Sequence, residues 1–170
     1  LMLARQIAQI HYRAEPVFAS RFGRELLDPL DGSSSFSLDQ RFDVEGYLDY
    51  HGDKLIRRFD ANSYLRLNKA MDLHDLARGR GGMDRAIERI TAPALVMSIN
   101  SDILYPPYQQ EHLRELLVRH RKRCGFYEID SPDGHDGFLI AVQQIPPIVE
   151  AFLDSVADDR PSLLPTGALR

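Results

Sequence analysis

Apolar residues recur at helical spacing over the first dozen positions. Leu3, Ile7, Ile10 and Ala14 form one stripe, which predicts an amphipathic helix over 1–12 that ends near Pro16. The same periodicity predicts helices over 44–50, with Gly52 as a C-terminal cap, and over 55–59. A further helix is predicted from an Asp60 N-cap through Leu73, with Tyr64, Leu67, Ala70 and Met71 on its apolar side. Between the first helix and these lies a break over 28–39, where Asp28-Pro29-Leu30-Asp31-Gly32 and a run of serines have loop chemistry. A short helix over 83–90 follows, and then the pattern changes. Ala94-Leu95-Val96-Met97-Ser98-Ile99 and Phe126-Tyr127-Glu128-Ile129 are short apolar runs, rich in branched or aromatic residues and closed by turn formers, so they read as buried strands. Residues 107–119 between them have helical apolar spacing. Strand, helix, strand at this length is a parallel crossover unit. Beyond it, 138–144 reads as helix. Pro146-Pro147 interrupts it or starts a new helix at Ile148, whose stripe is Ile148, Phe152 and Val156. The polar stretch 158–170 is expected to fray.

A crossover unit puts the ends of its two strands at one edge of the sheet, where ligands and catalytic groups gather in open α/β sheets. Asp102 lies just past the first strand and His135 just past the second. An acid followed by a histidine in this order is the second half of a Ser…Asp…His triad on an α/β-hydrolase sheet. His135 is then the general base and Asp102 the carboxylate that orients it. Asp133 is the second candidate for the orienting acid, with a turn-forming side chain as its alternative role. The plainer alternative for Asp102 and His135 is two loop residues with no shared task. No G-x-S-x-G occurs in the chain, so neither the nucleophile elbow nor the oxyanion hole that accompanies it is supplied.

Bulk properties narrow the partners. With 170 residues, 44% hydrophobic and 27% charged, the chain has the composition of a soluble globular domain with a core of its own. A formal net charge of −4 disfavours a nucleic-acid binder, which needs a basic footprint. The one basic cluster, Arg119-His120-Arg121-Lys122-Arg123, reads as a solvated helix end, with a phosphate or CoA contact as the alternative. Cys124 is the single cysteine, which excludes an internal disulfide and favours a buried, inert thiol. His51 and His74 lack metal partners at ligand spacing, and no metal is expected. Arg78-Gly79-Arg80-Gly81-Gly82 lacks the preceding strand and the Lys-Ser/Thr ending of a phosphate loop, and reads as a hinge. With no signal peptide or membrane span visible, a cytoplasmic location and no membrane contact are the expectation.

Several words of the sequence resemble one family. Ser101-Asp102-x-Leu104-Tyr105-Pro106 and Gly134-His135-Asp136-Gly137-Phe138-Leu139 are similar to the C-terminal motifs of the homoserine O-acetyltransferases. So are Tyr47-Leu48-Asp49-Tyr50-His51-Gly52-Asp53-Lys54 and Arg58-Phe59-Asp60-Ala61-Asn62-Ser63-Tyr64-Leu65. The resemblance implies the C-terminal part of an α/β-hydrolase fold, its last parallel strands with flanking helices plus a helical lid. Residues 1–15 are then a core helix leading into the lid, 16–82 the lid, 83–157 the end of the core, and 158–170 a tail. It further implies acetyl transfer from acetyl-CoA, as co-substrate, to homoserine through an acyl-serine, with no permanently bound cofactor. Arg5 and Tyr12, two helical turns apart, resemble the pair that holds the homoserine carboxylate, and Asp136 the acid that meets its ammonium. Without the family, Arg5 reads as a surface residue, Tyr12 as a half-buried one and Asp136 as a solvated loop acid. The missing nucleophile implies a missing N-terminal half as partner, and the lid helices a homodimer. An esterase-type hydrolase of the same fold and a non-catalytic lid or dimerisation fragment are the competing expectations.

Overall fold

A computed structural model describes residues 1–27 and 38–158; most of the loop expected over 28–39 and the tail beyond 158 lie outside the described residues. The chain divides into two compact units, Leu1–Leu73 and His74–Arg170.

The first unit is helical. Helix α1 (Met2–His11) packs on α3 (Asp43–Ile56), with α2 (Glu15–Arg21) between them in sequence. Pro16 does not end a helix. It sits in the first turn of α2, where a missing N–H is harmless. Nor does Gly52 cap a helix. It lies inside α3 where α1 comes closest, and a Cβ there would stand 2.5 Å from Met2 Cγ. The face α1 presents to α3 also differs from the expected stripe. Gln9 is buried and donates to the Tyr47 hydroxyl at 2.6 Å, and Gln6 donates to Asp49 at 2.8 Å. Leu3, Ile7 and Ile10 are exposed. Both glutamine NH₂ groups thus find acceptors on α3, which offsets part of the cost of burying this side, while Gln9 Oε1 is buried without a hydrogen-bond partner among the described residues. Helix α4 (Ala61–Asp72) begins at Asp60, whose carboxylate accepts the Ser63 amide at 2.8 Å, as an N-cap does. None of its residues is buried, and Leu65, Leu67 and Met71 are exposed.

The second unit holds the sheet. Strands β1 (Ala94–Ile99) and β2 (Cys124–Ile129) pair in parallel, with Ala94 opposite Cys124 and Ile99 opposite Ile129. β2 begins two residues before the apolar run that announced it. Helix α6 (Pro107–Arg119) crosses between them and packs on both. Ile87 of α5 (Met83–Glu88), Val96 of β1 and Leu117 of α6 form the core, joined by Leu76, Ile90 and Phe126. The glycine-rich run forms the turn into α5, with Gly79, Gly81 and Gly82 all at positive φ.

The basic cluster is a solvated helix end only in part: Arg119, in the last turn of α6, and Arg121 are exposed, while His120, Lys122 and Arg123 have partners. His120 Nε2 lies 2.8 Å from Asp84 of α5, and Lys122 donates to the Glu88 carbonyl at 2.6 Å. The Arg123 guanidinium donates to the Ser155 carbonyl in α8 (Ile145–Ala157). These side chains fasten two helices to the turn between α6 and β2. After β2 comes a 3₁₀ turn (Gly134–Asp136), and the helix expected over 138–144 is reduced to the single turn α7 (Gly137–Ile140). Gln144 is drawn out of it to exchange hydrogen bonds with the Asp130 backbone, and α8 then starts afresh with Pro146 and Pro147 in its first turn.

Candidate active site

The segments that follow β1 and β2 lie side by side at the C-terminal edge of the sheet. Asp102 leaves the end of β1 in a turn whose backbone folds onto its own carboxylate. Oδ1 accepts the amides of Leu104 and Tyr105 at 2.8 and 2.9 Å. Oδ2 lies 2.8 Å from His135 Nδ1. An ionised carboxylate only accepts, so in the neutral imidazole this contact calls for the proton on Nδ1 and the lone pair on Nε2. The Asp102 side chain is 6% exposed and the His135 side chain 26%. The acid is thus enclosed with both oxygens satisfied, while the imidazole reaches solvent. Tyr105 and Phe138 flank the ring with centroids 5.2 and 5.6 Å away. Beside the pair lies an open cavity of about 280 Å³, lined by Ser98, Asp102, Tyr105, Gln110, His135 and Phe138 among others. Ser98 Oγ and Gln110 Oε1 are buried in its wall without a protein partner among the described residues.

The other candidates are placed as follows. The Asp133 carboxylate accepts the Ser131 hydroxyl at 3.1 Å, and the Asp133 amide returns to Ser131 Oγ at 3.2 Å, the pattern of a turn side chain. Asp136 follows His135 at the end of the 3₁₀ turn and is half-buried. Arg5 and Tyr12 belong to the other unit, where the guanidinium lies over the Tyr12 ring at 5.3 Å. Burial, followed by the charges of Arg5, Lys54, Arg21 and Arg13, lowers the pKa of His51 in that unit. No group of three or more metal-ligating side chains occurs among the described residues.

Sequence reasoning missed the residues that lock the two loops together. Asn100 donates to Asp130 at 2.6 Å and accepts the Ser131 amide at 3.1 Å. Ser101 Oγ donates to the Ser131 carbonyl and accepts the Gly134 amide at 2.9 Å. Gly137 sits where a Cβ would meet Ile99 Cγ2 and Ser131 Oγ, each at 3.1 Å. The available signal was the small polar residues placed directly after each strand, Asn100-Ser101 and Asp130-Ser131.

Comparisons with known proteins bear on the same segments. No protein-family profile matches the chain. The homoserine O-acetyltransferase of Carboxydothermus hydrogenoformans is 44% identical over 163 residues, 96% of this chain and 43% of the relative. That of Corynebacterium urealyticum is 47% identical over 154 residues, 88% of this chain and 38% of the relative. The chain therefore spans about two-fifths of the length of the curated relatives it matches. Among solved structures, a homoserine O-acetyltransferase from Bacillus anthracis superposes with a TM-score of 0.69 over 84% of this chain and 38% of that one, at 24% identity. Esterase E22 superposes with a TM-score of 0.73 over 90% of this chain and 41% of that one, at 17% identity. At those identities the superpositions establish the α/β-hydrolase fold alone. The sequence matches identify this chain as a member of the homoserine O-acetyltransferase family, corresponding to the C-terminal part of the relatives' α/β-hydrolase fold.

Proposed function

We propose that this chain contributes the base and its orienting acid to an acyltransferase that moves an acetyl group from acetyl-CoA to homoserine through an acyl-serine. The observation that carries the reading is the 2.8 Å contact between Asp102 Oδ2 and His135 Nδ1 at the carboxyl edge of a parallel pair. With Nδ1 engaged, Nε2 is the atom that takes the serine proton as the hydroxyl attacks the thioester. The same nitrogen returns a proton to the departing thiolate. In the second half-reaction His135 removes the homoserine hydroxyl proton as that oxygen attacks the acyl-serine, and the proton then goes back to the serine. Asp102, enclosed and doubly held by backbone amides, stabilises the imidazolium formed in each half.

The nucleophilic serine and the oxyanion donors come from a segment homologous to the N-terminal part of the relatives. Arg5 and Tyr12 take the homoserine carboxylate, to which a guanidinium fork offers two parallel hydrogen bonds, and Asp136 takes the ammonium. Residues 16–82 serve as the lid, and the exposed Leu65, Leu67 and Met71 of α4 are the surface assigned to pairing with a second copy. No single helix among the described residues is long and apolar enough to cross a membrane; only the bent pair Gly134–Ile140 and Ile145–Ala157, 73° apart, passes when taken together. We assign the enzyme to the cytoplasm.

The test is reconstitution. The 170-residue chain is incubated with acetyl-CoA and homoserine, and free thiol is followed before and after adding a separately produced N-terminal segment bearing the serine. Thiol release that needs both segments and homoserine supports the reading. Release that proceeds equally without homoserine assigns the site to a hydrolase.

A further inference from the structure

We propose that Ser101 is a positioning residue whose hydroxyl sets His135 against Asp102, an inference that rests on the acyl-transfer role just given to that pair. Through β1 and β2 each residue faces the one 30 positions later in the chain. The relation persists just past the strand ends, where Asn100 bonds Asp130 and Ser101 bonds the carbonyl of Ser131. Carried one residue further it would set Asp102 against Pro132, which has nothing to titrate. The contacts found there run 33 positions apart, Ser101 with Gly134 and Asp102 with His135.

The chain therefore gains three residues between Ser131 and Gly134, and one group bonds both sides of the gain. Ser101 Oγ gives its proton to the Ser131 carbonyl and accepts the Gly134 amide at 2.9 Å. A hydroxyl has one proton to give and lone pairs to receive, which suits it to both ends of such an excursion. Gly134 is buried at φ +65, a left-handed conformation that turns the chain back toward β1 so that the next residue, His135, meets Asp102. The excursion has its own internal brace in the Ser131–Asp133 bonds. What Ser101 adds is therefore the position of the whole turn relative to β1, not its internal shape.

The primary experiment follows the His135 imidazole by ¹⁵N NMR in the 170-residue chain, comparing wild type with Ser101→Ala and Ser101→Thr. The wild type is expected to hold the Nδ1–H tautomer and Ser101→Ala to lose it in part, with amide spectra otherwise folded. Ser101→Thr, which keeps the hydroxyl, should restore it. In the reconstituted enzyme Ser101→Ala should lower kcat by roughly ten- to a hundredfold, the scale of a sub-ångström to one-ångström misplacement, and leave the homoserine KM within about twofold. A tautomer unchanged in Ser101→Ala overturns the proposal. So does a Ser101→Thr variant that behaves like the alanine, or loss of the folded state in Ser101→Ala, which would make the hydroxyl a general stabiliser. A tautomer that responds in an enzyme without acyl-transfer activity upholds the positioning role and refutes the acyl-transfer reading instead.

Discussion

Asp102→Asn separates the chemistry of the pair from its packing. The wild-type carboxylate accepts three hydrogen bonds, two amides on Oδ1 and His135 on Oδ2. An asparagine has one oxygen, and the Leu104 and Tyr105 amides claim it, because the NH₂ group cannot accept. The NH₂ is left facing His135 Nδ1, donor against donor, unless the ring moves its proton to Nε2. That tautomer relieves the clash and removes the lone pair that should receive the serine proton. The equivalent change in the serine-protease triad lowers kcat by about 10⁴, and the same tautomer argument carries that magnitude over to this pair. It corresponds to about 5.4 kcal/mol of transition-state stabilisation. The fold should lose much less, because both backbone contacts survive and only their charge assistance goes, about 1–2 kcal/mol. The assay is thiol release by the reconstituted enzyme, with urea denaturation of the same variant to report stability. A kcat within about tenfold of wild type would refute the reasoning, as would finding that Asp133→Asn is the damaging change.

Gly137→Ala should destabilise the second unit by about 1–3 kcal/mol in denaturant titration, because its new methyl meets Ile99 Cγ2 and Ser131 Oγ at 3.1 Å and both neighbours belong to buried residues. Arg5→Ala should raise the homoserine KM by the worth of one charge-assisted contact, about 1.5–3 kcal/mol, with kcat little changed; an unaltered KM removes Arg5 from the substrate site. The pKa of His51 is held below its ordinary 6.5, first by burial and then by Arg5, Lys54, Arg21 and Arg13. The unfolded chain then takes up the proton more readily, so this contribution to stability is present above pH 6.5 and is lost as pH falls through the folded-state value. His51→Gln should flatten that acid-side slope in urea midpoints, and an unchanged slope would place its origin elsewhere. Burial raises the Cys124 thiol pKa, so alkylation of the folded chain at mildly alkaline pH should run slower than that of the urea-unfolded chain; equal rates would contradict the burial.

The strands, the crossover helix between them and the pairing of Asp102 with His135 were legible in the sequence. They depend on local signals: branched apolar runs bounded by turn formers, helical spacing over 107–119, and an Asp60 that caps the helix it precedes. The periodicity of α1 was equally legible, yet not the side it turns to α3. Gln9 and Gln6, which lie off the apolar stripe, meet Tyr47 and Asp49, far along the chain. Gly52 followed the same logic: a cap and a close helix crossing both call for glycine, and only the position of Met2 distinguishes them. The partners of His120, Lys122 and Arg123 were not legible because Asp84 and the carbonyls of Glu88 and Ser155 lie more than thirty residues away in either direction. The shift between Ser131 and Gly134 that brings His135 opposite Asp102 also belongs to the tertiary structure. Sequence periodicity records which face of an element is apolar. Which residue stands opposite which, once two loops leave the regular register of a sheet, is decided by the hydrogen bonds that close between them.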